Sequence, residues 1–309
     1  MTALPNVVIV ATDFSSSAGR AVKRAAALAT QLRVPLRVVH AIGEGDWLRR
    51  LSLQLQGEFS LELMRKTAGS RLARLRRRLQ KAGVPEVDYE VLDESLPAGL
   101  PHLLHDDERG LLVIGARGHN SLREGLLGST ADRVVRAGAM PVLLVRRAPG
   151  RPWSRVVLAT DLSSASAHAA RTALGLCPEA ELFLLHAVDV PLDRDFAFAS
   201  ISAQARESFL HETRVQAANR LELFEQALGA QGRPITRAPR EGRPQAVLAA
   251  FVAEVSADLV VVGARPRARW EANLLGGTAY HAVNRLGCDV LLVPEPGERP
   301  LAKEDGWGD

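Results

Sequence analysis

The sequence predicts an α/β protein made of two tandem, doubly wound domains, each with a five-stranded parallel sheet. Three observations carry this reading. Short apolar runs such as Val7-Val8-Ile9-Val10 and Leu111-Leu112-Val113-Ile114 alternate with longer segments of helical periodicity. Strands buried on both faces read as such unbroken runs. The pattern then restarts. Val156-Val157-Leu158-Ala159-Thr160-Asp161-Leu162-Ser163 repeats the opening, with Asp161 lying 148 positions after Asp13. Leu259 to Gly263 and Val290 to Val293 keep the same 148-residue offset from Leu111 to Gly115 and from Val142 to Val145. A constant register over this length means duplication of a whole domain. Between the copies, Arg147-Ala148-Pro149-Gly150-Arg151-Pro152 has the composition of a linker. The domains are placed at 1–148 and 149–309.

Each element follows in order. Val7 to Ala11 is a strand that ends at Thr12-Asp13, and Ser15 to Ser17 stand where helix caps belong. Ala18 to Leu32 is a helix with Val22, Ala25, Leu28, Ala29 and Leu32 on one face. Pro35 precedes the strand Leu36 to Ala41, which completes a right-handed βαβ unit. Residues 43–57, with Trp47 and four leucines, read as a helical excursion or a flap. Leu61 to Lys81 is a helix whose end is dense in arginine, which suits the dipole there. Gly83 stops it; Val87 to Leu92 is a strand and Pro97 to His105 a helix. His102 and His105 beside Asp106 and Asp107 have a metal-like spacing but lack a wider ligand set, so they read as a polar helix end. Pro141 opens the last strand of the copy, where a strand proline is tolerated. The segment from Pro294 to Asp309 is rich in proline, glycine and charge and is expected to be loosely held.

The composition sets bounds on function. No run of 18 apolar residues occurs, so no membrane partner is expected. The first residues lack the basic-then-apolar order of a secretory signal. Cys177 and Cys288 have no metal-type spacing and read as buried thiols of a reducing cytoplasm. Residues 1–148 carry a net charge of +7 and the remainder −3. The basic stretch Arg71 to Lys81 reads as a solvated helix surface. No recognised reader motif accompanies it, so nucleic acid is not expected as a partner.

The stretch Gly115 to Thr130 organises the first half. It is a glycine-punctuated loop between a buried strand and a helix that opens on Ser129 and Thr130. Unpaired N–H groups, the positive end of the dipole and close backbone approach make such a place suited to phosphate. It is not a P-loop, because no Gly-Lys-Ser/Thr ends it. The spacing Gly115-x2-Gly118-x9-Gly128-Ser129 resembles the ATP-binding motif of the universal stress protein family. Val7 to Ser15 resembles that family's first strand and acidic turn, and Val38-Val39-His40-Ala41 the end of its second. The chain looks like a tandem, two-domain member. The resemblance implies strand order 3-2-1-4-5, an adenine nucleotide alpha hydrolase-like fold, and ATP as ligand, with Mg²⁺ as its optional companion. It implies that Asp13, after Ala11 and Thr12, lies near the ribose and that the backbone of Ala41 meets the adenine edge. Gly115 and Gly118 then frame the loop, and Gly128, Ser129 and Thr130 hold the phosphates, with Arg117 or His119 adding charge. Asp13 also suits a helix cap. In the second half Pro266 stands for Gly118 and Gly277 for Ser129, while Gly263, Gly276 and Thr278 persist. Proline fixes φ and offers no donor, so that motif is degraded.

Three classes of function follow: an ATP-binding stress regulator that meets an unknown protein partner, a slow ATPase or phosphotransferase, and a binding protein for another small or apolar ligand in the second half. No P-loop lysine and no acid–base pair stands out, so the first class is favoured, with at most weak hydrolysis.

Single-domain relatives in the resembled family form dimers through their final strands. Val142 to Val145 and Val290 to Val293 are apolar and hold no lysine or internal proline, so bare edges would invite aggregation. The linker keeps the second copy at an effective concentration on the order of millimolar. The expectation is an intrachain pseudo-two-fold with these two strands adjacent and antiparallel, as a monomer or weak homodimer. Cysteines placed at Leu144 and Leu292 should then cross-link within one chain in dilute solution, read by non-reducing electrophoresis. Cross-links formed only between chains would overturn it.

Overall fold

A computed structural model describes residues 4–43, 58–104, 109–116, 127–138, 140–188, 202–230, 232–264 and 276–295. The chain falls into two compact units, divided between Pro149 and Gly150.

The first unit runs β1 (Val7–Ala11), α1 (Ser16–Leu32), β2 (Leu36–Ala41), α2 (Glu58–Lys81), β3 (Val87–Leu92), α3 (Leu96–Gly99), β4 (Gly110–Gly115), α4 (Ser129–Ala137) and β5 (Val142–Val145). Every pairing is parallel: β1 with β2 and β4, β2 with β3, and β4 with β5. The order is therefore β3-β2-β1-β4-β5. Val7 to Val10 of β1 and Leu111 to Ile114 of β4 are buried, as strands covered on both faces require. Each such side chain stabilises the fold by about 1.5–3 kcal/mol. By the right-handed crossover rule, α1 and α2 cover one face and α3 and α4 the other. α1 begins two residues earlier than its apolar periodicity suggests, because Ser15 caps it: its hydroxyl accepts from Ala18 N at 3.2 Å. The helix expected over 97–105 is shorter. α3 ends at Gly99 and a 3₁₀ turn, Leu100–His102, follows. Pro101 has no N–H for the carbonyl four residues back, so the α-ladder stops there. His102 closes that turn, and its three sequence neighbours in the metal-like cluster lie outside the described residues, as do residues 44–57 and 296–309.

The second unit repeats the plan with β6 (Arg155–Ala159), α5 (Ser164–Leu176), β7 (Glu181–Val188), α6 (Ala203–Leu228), β8 (Ile235–Glu241), α7 (Pro244–Glu254), β9 (Leu259–Ala264), α8 (Gly277–Arg285) and β10 (Asp289–Pro294). Its pairings are again all parallel, in the order β8-β7-β6-β9-β10. Polar bonds anchor its entry. Trp153 Nε1 donates to Asp289 Oδ2 at 3.0 Å in a buried contact. One oxygen of Asp258 accepts from Ser154 N, Ser154 Oγ and Arg155 N. Cys177 and Cys288 are buried free thiols, as their spacing suggested.

Two groups give this unit a pH dependence. Burial works against the charge of Asp258, but the three donors from Ser154 and Arg155 outweigh it and hold the carboxyl below its ordinary range. Burial first, and the Arg171 guanidinium second, hold His168 below the usual imidazole range. Both depressed groups contribute stability that is complete above their unfolded pKa and lost as pH falls through the folded value. Thermal melts should therefore fall first below about pH 6.5 and again below about pH 4. His168→Gln should flatten the upper step and Asp258→Asn the lower; melts with unchanged pH profiles would contradict the assignment.

Candidate functional site

Three parallel strands end at one edge, and the candidate residues follow from those ends. The β1–β2 ladder stops at Ala11 opposite Val39, and β1 pairs Val10 with Val113 of β4. Thr12 and Asp13 beyond β1, Ala41 at the end of β2 and Gly115 at the end of β4 therefore share the carboxyl edge, where open α/β sheets place ligands.

The chain leaves β1 through a strained turn. Phe14 has φ 62°, a left-handed conformation uncommon for a bulky side chain. Two side chains hold it: Thr12 Oγ1 accepts from Phe14 N at 3.0 Å, and Asp13 Oδ1 accepts from Ser15 N at 2.9 Å. Thr12 is itself buried, and its carbonyl lies 2.6 Å from His40 Nδ1, which donates to it as the Nδ1–H tautomer. The Phe14 ring sits 4.7 Å from the His40 ring, and the Arg71 guanidinium lies 5.0 Å above it. The helix cap is Ser15, so Asp13 is a turn-forming residue rather than the cap.

Ala41 owes its position to ladder geometry. Thr12 N donates to Val39 O at 2.9 Å, so Val39 faces β1. Ile42 N donates to Leu92 O at 2.8 Å, so Ile42 faces β3. Alternation along the strand then turns the N–H and C=O of Ala41 to the β1 side, past the point where β1 has left the ladder. That is a donor–acceptor pair at an open edge beside Asp13.

The phosphate end is built at α4. Gly128 is its N-cap with extended backbone and makes no side-chain cap; Gly128 N donates to Ala116 O at 3.1 Å. The first-turn donors of a helix have no intrahelical partner, and this helix opens on Ser129 and Thr130. Helix α1 at the same edge, and its counterpart α5 within the second unit, are instead closed by the serine side chains of Ser15 and Ser163. Arg117, Gly118 and His119 lie outside the described residues. Gly115 has a packing reason to be glycine: a Cβ there would stand 2.7 Å from Ser17 Oγ and 2.9 Å from its backbone carbon.

The duplication supplies an internal comparison. Leu162 repeats the left-handed turn at φ 65°, with Thr160 Oγ1 accepting from Leu162 N and Asp161 Oδ1 from Ser163 N. His186 Nδ1 lies 2.9 Å from the Thr160 carbonyl. A Cβ on Gly263 would meet Ala165 backbone at 2.7 Å. The Thr-Asp turn, the histidine latch and the packing glycine are thus common to both repeats. The difference lies at the helix opening, where Gly277 replaces Ser129 and the Gln245 amide stands 2.8 Å from where a Cβ would be.

A chain with this order of strands, this acidic turn and this glycine-led helix twice over matches the universal stress protein family model at residues 6–146 and 152–294. The chain belongs to that family. Universal stress protein MJ0577 of Methanocaldococcus jannaschii is 27% identical over 165 residues, 48% of this chain and 98% of that one. Universal stress protein YxiE of Bacillus subtilis is 29% identical over 147 residues, 46% of this chain and 99% of that one. Among solved structures, a universal stress protein from Archaeoglobus fulgidus aligns with TM-score 0.64 at 17% identity, over 94% of this chain and 99% of that one. One from Pseudomonas aeruginosa aligns with TM-score 0.65 at 18% identity, over 94% and 93%. At such identities these two establish the fold.

Sequence reasoning singled out Asp13, Ala41, Gly115 and Gly128 to Thr130 and read Ser15 to Ser17 as cap positions, but gave no role to the side chains of Phe14 or His40. The histidine at the second strand end recurs in both repeats and was the available signal. Gly115→Ala should destabilise the first repeat by about 1–3 kcal/mol, because α1 backbone must move to admit the methyl. Gly263→Ala should do the same in the second. Denaturant titration checks both, and unchanged midpoints would show that α1 and α5 yield freely.

Proposed function

We propose that the first universal stress protein repeat binds an adenine nucleotide, ATP, and that the loaded state governs how the chain meets a protein partner in a stress response. One observation carries this reading. The glycine-led start of α4, with Ser129 and Thr130, lies at the same sheet edge as the open Ala41 backbone pair and the Asp13 carboxylate. The three ends match a nucleotide in order of chemistry. A helix start attracts phosphate, a carboxylate accepts sugar hydroxyls, and a strand-edge N–H and C=O suit the adenine edge. The residues present therefore fit ATP. When ATP brings Mg²⁺, the phosphates supply its principal ligands. The two buried free thiols fit a cytoplasmic setting.

The chain's own residues bind and orient rather than transform. One Asp13 oxygen is already committed to Ser15 N, which leaves the turn poorly suited to activating water. The second repeat keeps the acidic turn and its histidine latch, but Gly277 lacks the hydroxyl and Pro266 lacks a backbone donor. It binds weakly or not at all.

Isothermal titration should give about one ATP per chain, whereas two equal sites would overturn the reading. Ser129→Gly copies the second repeat and should weaken ATP about tenfold, the worth of one hydrogen bond to a charged group. Gly118→Pro should abolish binding, and a variant that binds as the parent does would reject the site. Asp13→Asn keeps the Oδ1 acceptor of the turn, so its melting temperature should stay near the parent's while ATP affinity falls. Single-turnover phosphate release from bound ATP should be negligible or very slow; fast release would make the protein an ATPase.

A further inference from the structure

The outer face of α2 carries a row of positive charge that no carboxylate among the described residues balances. Helix positions advance by 100° per residue, so Lys66, Arg71, Arg74, Arg77, Arg78 and Lys81 fall within an arc of about 140°. All six are exposed, as are Thr67 and Ser70 on the same arc. The opposite side buries Ala68, Leu72 and Leu79 against the sheet. The two cations of the helix that leave this arc have local partners. Arg65 pairs with Asp93, and the Arg76 guanidinium lies 5.3 Å over the Tyr89 ring. Among the described residues, no carboxylate forms an ion pair with any of the six. Arg71 rests over Phe14, and Arg74 Nε donates to Ser70 O.

The second repeat shows that this face is not a requirement of the fold. Its counterpart α6 buries Leu210, Ala217, Leu221 and Leu228. That helix holds three arginines and four glutamates against the eight basic and two acidic residues of α2. Its charges are neutralised locally. Arg214 bridges Glu207 and Glu241, and Arg237 of β8 bridges Glu222 and Glu225. One copy of the same element is balanced and the other is a one-sided cationic row.

We propose that the outer face of α2 is a binding surface for the phosphate backbone of a nucleic-acid duplex. The row from Lys66 to Lys81 is about 22 Å long at 1.5 Å per residue. A duplex strand places a phosphate every 3.4 Å or so of axis, about six over that length. Four of the six cations are arginines, whose planar fork suits phosphate oxygens. Between Lys66 and Lys81 the arc holds no stacking aromatic, which single-strand binders use, and none of the asparagines or glutamines that read adenine. Between Lys66 and Lys81 the arc carries no apolar side chain with which to seat the helix in a lipid interface. The surface is therefore electrostatic and indifferent to base sequence.

Fluorescence anisotropy with a labelled 20-base-pair DNA duplex and the full chain tests this. Six phosphate contacts predict a roughly thousandfold loss of affinity between 50 and 200 mM salt. Arg74→Gln, Arg77→Gln and Arg78→Gln together should lower the log–log salt slope by about 2.7 and weaken binding at 50 mM salt. These are exposed positions and glutamine is a good helix former, so circular dichroism should match the parent. Arg77→Gln alone should lower the slope by about 0.9 and serves should the triple variant not fold. The corresponding lysine triple should keep the slope. Arg220→Gln with Arg243→Gln, exposed arginines of the second repeat, should leave binding unchanged. Absence of duplex binding at 50 mM salt, or a triple variant with the parent's slope, would overturn the proposal. So would capture by phosphatidylserine vesicles, lost in the triple variant, with no binding to the duplex.

Discussion

The end of β1 is the constraint on which each repeat depends. A central parallel strand, buried on both faces, must give up its ladder and turn back into a helix within four residues. Thr12 and Asp13 solve this with two side-chain acceptors that hold Phe14 in the left-handed region. His40 then ties the Thr12 carbonyl to the end of β2. The turn has two consequences for the site. It releases the edge of β2 so that Ala41 presents its backbone, and it brings the start of α1 so close to β4 that Gly115 cannot carry a methyl group. Fold and candidate site share one cause.

Comparison of the repeats separates what the fold needs from what a ligand needs. The Thr-Asp turn, its histidine and the glycine at the strand end appear in both, so their presence is accounted for by the backbone. Ser129 and the basic row on α2 appear in one only. The packing of α4 against its sheet does not call for a hydroxyl at its first position, since α8 opens on Gly277. Nor does burial of α2 call for six exposed cations, since α6 is buried in the same way with balanced charge. Asymmetry between duplicated halves thus points to function where either half alone would show only a plausible surface.

Much was legible in the sequence because it is local. Unbroken apolar runs fix the strands, periodic leucines and alanines fix the helices, and the 148-residue offset fixes the duplication. Those signals depend on a residue and its near neighbours. The short α3 shows the limit even there: Pro101 breaks a helix that the apolar pattern alone would extend. The glycine spacing and the serine at the start of α4 were also readable, since a helix start is a local chemical object.

Other features were decided by contacts and orientations that only the folded chain sets. Gly115 is a glycine because Ser17 of α1, far from it in sequence, packs against it. Asp13 is a turn acceptor because Ser15, not Asp13, closes the helix. The arginines of α2 are a face rather than a tally because Leu72 and Leu79 choose which side of the helix is buried. Sequence by itself determined which elements form, how often the plan repeats and which residue types stand at strand ends. Only the tertiary structure decided which of those residues serve the backbone and which are left to meet a ligand, because that depends on the direction each group faces once strands with no sequence proximity lie side by side.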